Sequence, residues 1–155
     1  MLAAHSRGAA ILSILISFAA AAAVPVDAPA DDAIAAAEAL IRTELANSAS
    51  YFSQNKDHRY YLLIDGRDPP ADFSARLKDV GIEFRPGTQW KQAGDVVVGE
   101  DMMLSIGPPR PLPDGTFEIK YGFSCGGLCG AVLVATATHD AAGWRILASK
   151  ALKYR

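Results

Sequence analysis

Residues 117–124 read Phe-Glu-Ile-Lys-Tyr-Gly-Phe-Ser, apolar and polar in strict alternation. A period of two puts Phe117, Ile119, Tyr121 and Phe123 on one face and Glu118, Lys120, Gly122 and Ser124 on the other. No helix gathers those four apolar side chains on one side, so the segment is a strand with one buried face. Residues 131–138, rich in Val and Thr, read as the next strand. Asp140-Ala141-Ala142-Gly143 turns the chain into a third, Trp144-Arg145-Ile146-Leu147. Links this short join antiparallel neighbours, because parallel ones need a crossover of a dozen residues or more. Upstream, Met102, Leu104 and Ile106 alternate before the breaker Gly107-Pro108-Pro109. The second half of the chain is therefore β.

The first half starts with a different period. Ile34, Ala37, Ile41 and Leu45 recur at helical spacing with Leu40 beside them, while Glu38, Arg42 and Glu44 are taken as the opposite face. Asp31 and Asp32 suit the positive end of that helix, and Asn47, Ser48 and Ser50 close it. Residues 60–64 form a short aromatic and apolar strand between charged residues and Asp65-Gly66. Asp68-Pro69-Pro70 opens a second short helix faced by Phe73, Leu77 and Val80 and stopped by Gly81. Ile82 and Phe84 then alternate with Glu83 and Arg85 as a brief strand that Pro86-Gly87 ends. Helices followed by a sheet make an α+β domain. The expected architecture is an N-terminal helix packed on a curved antiparallel sheet, NTF2-like or cystatin-like by analogy. The apolar stripe of the helix has nothing else to cover it.

The amino terminus addresses the chain for export. Arg7 and the α-amino group precede an uncharged run over residues 9–23, which ends with Ala21 and Ala23 as small residues before Val24. Residues 1–23 read as a cleavable signal peptide, residues 24–30 as a flexible Pro/Ala/Asp linker, and residues 31–155 as a single α+β domain. Spanning a bilayer takes about 20 apolar residues, so no stable membrane insertion is expected after cleavage, and the location is periplasmic or extracellular. Cleavage removes one charged side chain, Arg7, and takes the net charge from −2 to −3, still mildly acidic. A nucleic-acid partner, which wants a clustered basic face, is not expected.

Cys125-Gly126-Gly127-Leu128-Cys129-Gly130 sits between two strands and so forms a hairpin loop. With two cysteines in an exported chain, a disulfide between Cys125 and Cys129 is the default, the two glycines permitting the tight turn. A redox-active pair is an alternative, although the familiar dithiol motif has two intervening residues and this one has three. A metal site would need two further ligands, and His58 and His139 lie in unrelated segments. No cofactor and no metal is expected. From Tyr60 through Asp65-Gly66-Arg67-Asp68-Pro69 to this loop, closing on Gly143-Trp144-Arg145-Ile146, the chain resembles a family of small secreted bacterial proteins of uncharacterised function. That resemblance implies no activity.

Other candidates for a pocket or site are Asp57 and His58 beside Tyr60 and Tyr61, an acid/base group in outline. Trp90 and Trp144 are a possible aromatic floor, otherwise core packing. Glu100-Asp101 reads as a turn rather than as paired carboxylates, and residues 107–113, rich in proline, as a stiff loop. No Gly-x-Ser-x-Gly, His-Glu-x-x-His or phosphate-cradling glycine loop is present. The expected role is a binding or accessory module, more readily than an enzyme, for an unknown small ligand or protein partner. The alternatives are a small-pocket enzyme using the acid/base residues, or thiol-disulfide chemistry at Cys125 and Cys129.

Overall fold

The computed structural model describes residues 29–91, 101–125 and 129–154. The signal segment 1–23, most of the linker, Glu100 and the loop residues Gly126, Gly127 and Leu128 lie outside the described residues. Helix α1 spans Asp31–Ala46, opens with both aspartates in its first turn, and is closed by Asn47, whose N–H bonds the Thr43 carbonyl. A one-turn helix α2, Tyr51–Gln54, follows, with Ser50 Oγ accepting from the Ser53 N–H as its N-cap. Strand β1 is Arg59–Ile64. The expected second helix is broken into the single turn α3, Phe73–Arg76, and the 3-10 turn Lys78–Val80, which Gly81 ends in the left-handed conformation, φ +77°. Asp68 does not start that helix. Its carboxylate accepts from the N–H and the hydroxyl of Thr88 instead.

Strand β2 is Phe84–Pro86, β3 Asp101–Ile106, β4 Arg110–Pro111, β5 Phe117–Ser124, β6 Gly130–Asp140 and β7 Gly143–Tyr154. The fold is α+β, with one seven-stranded sheet in the order β2-β1-β3-β5-β6-β7 and β4 paired to β5. The second half is antiparallel as expected: β3, β5, β6 and β7 pair in that sense. The sheet as a whole is mixed, which corrects the expectation of an antiparallel one. Strand β1 runs parallel to both β2 and β3. The reason is connectivity. The inference from short links holds for β5 to β7, whereas β1 and β2 are joined by a segment carrying α3 and the 3-10 turn. Such a crossover is long enough to bring the chain back to its starting end. Two smaller differences follow from register. Asp101, expected in a turn, opens β3 and pairs with Arg59 at 2.5 Å. The proline-rich link contributes β4, which places Arg110 opposite Glu118.

One hydrophobic cluster unites the buried residues of α1 with Tyr60, Leu62 and Ile64 of β1, Met102, Leu104 and Ile106 of β3, Ile119 and Tyr121 of β5, and Ala135 and Ala137 of β6. Where Leu40 and Ile41 meet Tyr60, Phe84 and Leu104, only about 10 Å³ of space remains. That is the lower limit for a single water molecule, so this part of the interior is filled. On its outer side α1 is tied down by Arg42, which reaches Asp79 at 2.6 Å, Glu38 at 3.1 Å and the Arg76 carbonyl at 2.6 Å. The Arg42 guanidinium holds the Asp79 carboxyl below its ordinary range.

Candidate functional site

Beside the filled core, a groove of about 410 Å³ runs between the C-terminal end of α1, helix α2 and the facing ends of β5, β6 and β7. The cysteine hairpin forms one end. Cys125 and Cys129 are joined as a disulfide, with Cα atoms 5.2 Å apart, inside the span such a bond needs. The Cys125 N–H bonds the Cys129 carbonyl at 3.1 Å, closing the loop on the backbone as well. Directly before and after the loop, Ser124 pairs with Gly130 and Phe123 with Ala131. Gly130 has no freedom to carry a side chain, since a Cβ there would stand 2.7 Å from the Phe123 carbonyl oxygen. Cys125 is buried in the core, and Cys129 is half-buried and lines the groove.

Helix α2 supplies an aromatic wall. The Tyr51 ring stacks on Phe123 with centroids 4.4 Å apart, and Phe52 meets Phe123 edge-on at 5.5 Å. Tyr51 Oη lies 3.7 and 3.8 Å from the two disulfide sulfurs, the distance of a weak hydrogen bond to sulfur. A single turn of helix holds this tyrosine because Ser50 is anchored on both sides. Its hydroxyl donates to the Glu44 carbonyl and accepts from the Ser53 N–H.

At the α1 side Glu44 is 7% exposed, and Tyr121 Oη donates to its Oε1 at 2.7 Å. This corrects the assignment of Glu44 to the solvent face. Seven residues after Ala37 is 700° of helix, only about 20° from a whole number of turns, so Glu44 falls on the Ala37 and Leu40 stripe. Burial raises the Tyr121 phenol above its ordinary range. The nearby Glu44 carboxylate pushes the same way, because ionising the phenol would place two negative charges together. Tyr60 is raised likewise, first by burial.

The residues singled out from sequence do not converge on this groove, apart from the cysteines. Tyr60 is fully buried and its hydroxyl donates to the Asn55 carbonyl at 2.9 Å. Tyr61, next along the strand, is on the other face of the sheet and half-buried. Asp57 is exposed, and His58 is half-buried with its Nδ1 enclosed and unpartnered. Trp90 ends the 3-10 turn Gly87–Gln89 near β1. Trp144 sits on edge strand β7, stacked on His139 at 4.6 Å and edge-on to Phe117 at 4.8 Å. The two tryptophans thus belong to different ends of the strand order and form no common floor. Sequence reasoning missed Glu44 and Tyr51. The seven-residue spacing from Ala37 would have found the first. Nothing periodic marks a one-turn helix such as the one that carries Tyr51.

Among the described residues the groove offers one carboxylate, Glu44, the bordering Lys150, several phenols and a disulfide. No group of three or more potential metal ligands occurs among the described residues, and no helix among them is long and apolar enough to cross a membrane. Comparison with protein-family models, with curated proteins and with solved structures found no match.

Proposed function

We propose that this chain is an exported α+β binding module that holds a small ligand, or a side chain of a protein partner, in the groove between α2 and the β5–β7 sheet. The observation that carries the reading is the groove itself. At about 410 Å³ it has the size of a small-molecule site, beside an interior that is otherwise filled. Its lining mixes aromatic and apolar side chains with nearly as much polar surface, including Glu44, Asn47, Ser50 and Lys150. Export is supported by the signal-like residues 1–23 and by a disulfide, which persists in oxidising compartments. A helix laid on a curved sheet, as in NTF2-like or cystatin-like domains, is the arrangement this reading assumes.

A fragment library titrated into the disulfide-intact protein, followed by amide chemical shifts, tests the proposal. Hits should move Tyr51, Tyr121 and Leu133 together and be lost in Ala151→Trp, which fills the groove from β7. Hits that cluster elsewhere, or survive that substitution, would overturn it. The runner-up is thiol-disulfide exchange, favoured by the partial exposure of Cys129 on the groove wall. It requires a reduction potential of about −120 to −200 mV, the range of the more oxidising catalytic dithiols rather than of structural bridges.

A further inference from the structure

The chemistry of the groove narrows what it can hold, and the inference rests on the binding reading above. Glu44 lines the groove while almost fully buried. Among the described residues its side-chain partner is the neutral hydroxyl of Tyr121, and none of the ion pairs involves it. With no cation beside it among the described residues, this nearly buried carboxylate is uncompensated, and a positive charge arriving from the groove is favoured.

The surrounding walls suit a cation as well. Tyr51, Phe123 and Tyr121 line the groove; the stacked Tyr51 and Phe123 rings give one face each to the other, and an aromatic surface left toward the groove attracts ammonium groups. Lys150 also borders the groove, but the strand register turns its side chain away. Lys150 pairs with Val134 and Val134 with Lys120, which stands exposed on the far face. Ala151 pairs with Leu133 and Leu133 with Tyr121, which carries the near face. Directly opposed residues project to the same side of a sheet. The groove floor therefore has a carboxylate and aromatic rings, with the neighbouring lysine delivered to the opposite surface.

We infer that the groove binds a small organic ammonium ligand, its charged nitrogen beside Glu44 and its carbon skeleton against the Tyr51 and Phe123 rings. The probes are benzylammonium, its neutral counterpart benzyl alcohol, and the anion benzoate, titrated calorimetrically and mapped by amide shifts. Benzylammonium should bind roughly tenfold tighter than benzyl alcohol, with benzoate weakest. Glu44→Gln, which keeps the shape and an acceptor for Tyr121, should bring the ammonium and the alcohol within about twofold. Tyr51→Ala should weaken benzylammonium several-fold while leaving the preference for charge. Equal affinity of the wild-type groove for ammonium and alcohol, or preference for benzoate, would overturn the ammonium assignment and leave the groove a binding site. If none of the probes shifts the groove residues, the binding reading falls with it. Ala151→Trp, which leaves Glu44 untouched, should abolish every groove shift, and persistence of the ammonium preference there would also overturn the assignment.

Discussion

Removing the covalent link between Cys125 and Cys129 should lower stability by about 2 kcal/mol without unfolding the domain. The magnitude comes from the size of the loop. The cysteines are four positions apart, so the bond closes a ring of five residues, for which the chain-entropy relation gives about 2 kcal/mol at room temperature. Cys125 adds a complication, because it is 2% exposed within the hydrophobic cluster. Serine there would bury a hydroxyl and cost about a further 1 kcal/mol, so Cys125→Ala with Cys129→Ser is the cleaner double variant. Urea unfolding of this variant, and of the wild type with and without reductant, should move the midpoint down by about 1 M for a typical denaturant slope. The slope itself should stay constant. The fold should survive because the pairs that set the β5–β6 register, Ile119 with Ala135 and Phe117 with Ala137, lie at the other end of the hairpin. Ile119, Ala135 and Ala137 are buried there, and a one-residue slip would turn them outward. An unchanged midpoint would refute the staple, and loss of the amide pattern around Ile119 would refute the claim that the register holds without it.

Alkaline pH should destabilise the protein through Tyr60 and Tyr121. Both phenols titrate above their ordinary value of 10.0 in the fold, so above that pH the unfolded chain has lost protons that the native chain keeps. Stability that is complete below about pH 10 should therefore decline as pH rises, by up to about 1.4 kcal/mol per unit for each tyrosine. Tyr121→Phe should shallow that decline, and a pH-independent midpoint between pH 10 and 11.5 would contradict the burial of both rings. Gly122→Ala should lower stability by about 1–3 kcal/mol in thermal or urea unfolding, because a Cβ there stands 2.7 Å from the backbone oxygen of Ala131. A variant as stable as wild type would mean that β5 and β6 approach less closely at this point than described.

Much of this architecture is legible in local pattern, because local pattern is where its causes lie. The alternation of residues 117–124 makes β5 wherever it is placed. The helical spacing of Ile34, Ala37, Ile41 and Leu45 makes α1, and the expected ends at Asp31 and Asn47 coincide with the observed ones. The proximity of Cys125 and Cys129 follows from a short loop between two strands. Other features depend on partners far away in the chain. β7 extends well beyond Leu147, to Tyr154. Its alternation is reset where the pairing with β6 shifts, between Val132 and Leu133 and between Thr136 and Ala137, and a bulge erases the period that marks a strand. The parallel pairing of β1 was decided by a crossover whose path no local spacing encodes. The groove was decided the same way. Tyr51 becomes a wall because Phe123, distant in sequence, offers it a ring to stack on. Helical spacing puts Glu44 on the buried stripe, but its hydrogen-bond donor, Tyr121, is carried by a strand of the second half and meets it only across the interface. Residue type and period determine which segments form and which face each buries, since those depend on neighbours a few positions away. Which buried faces meet, and so which polar groups share a cavity, is a long-range outcome that tertiary packing alone decides.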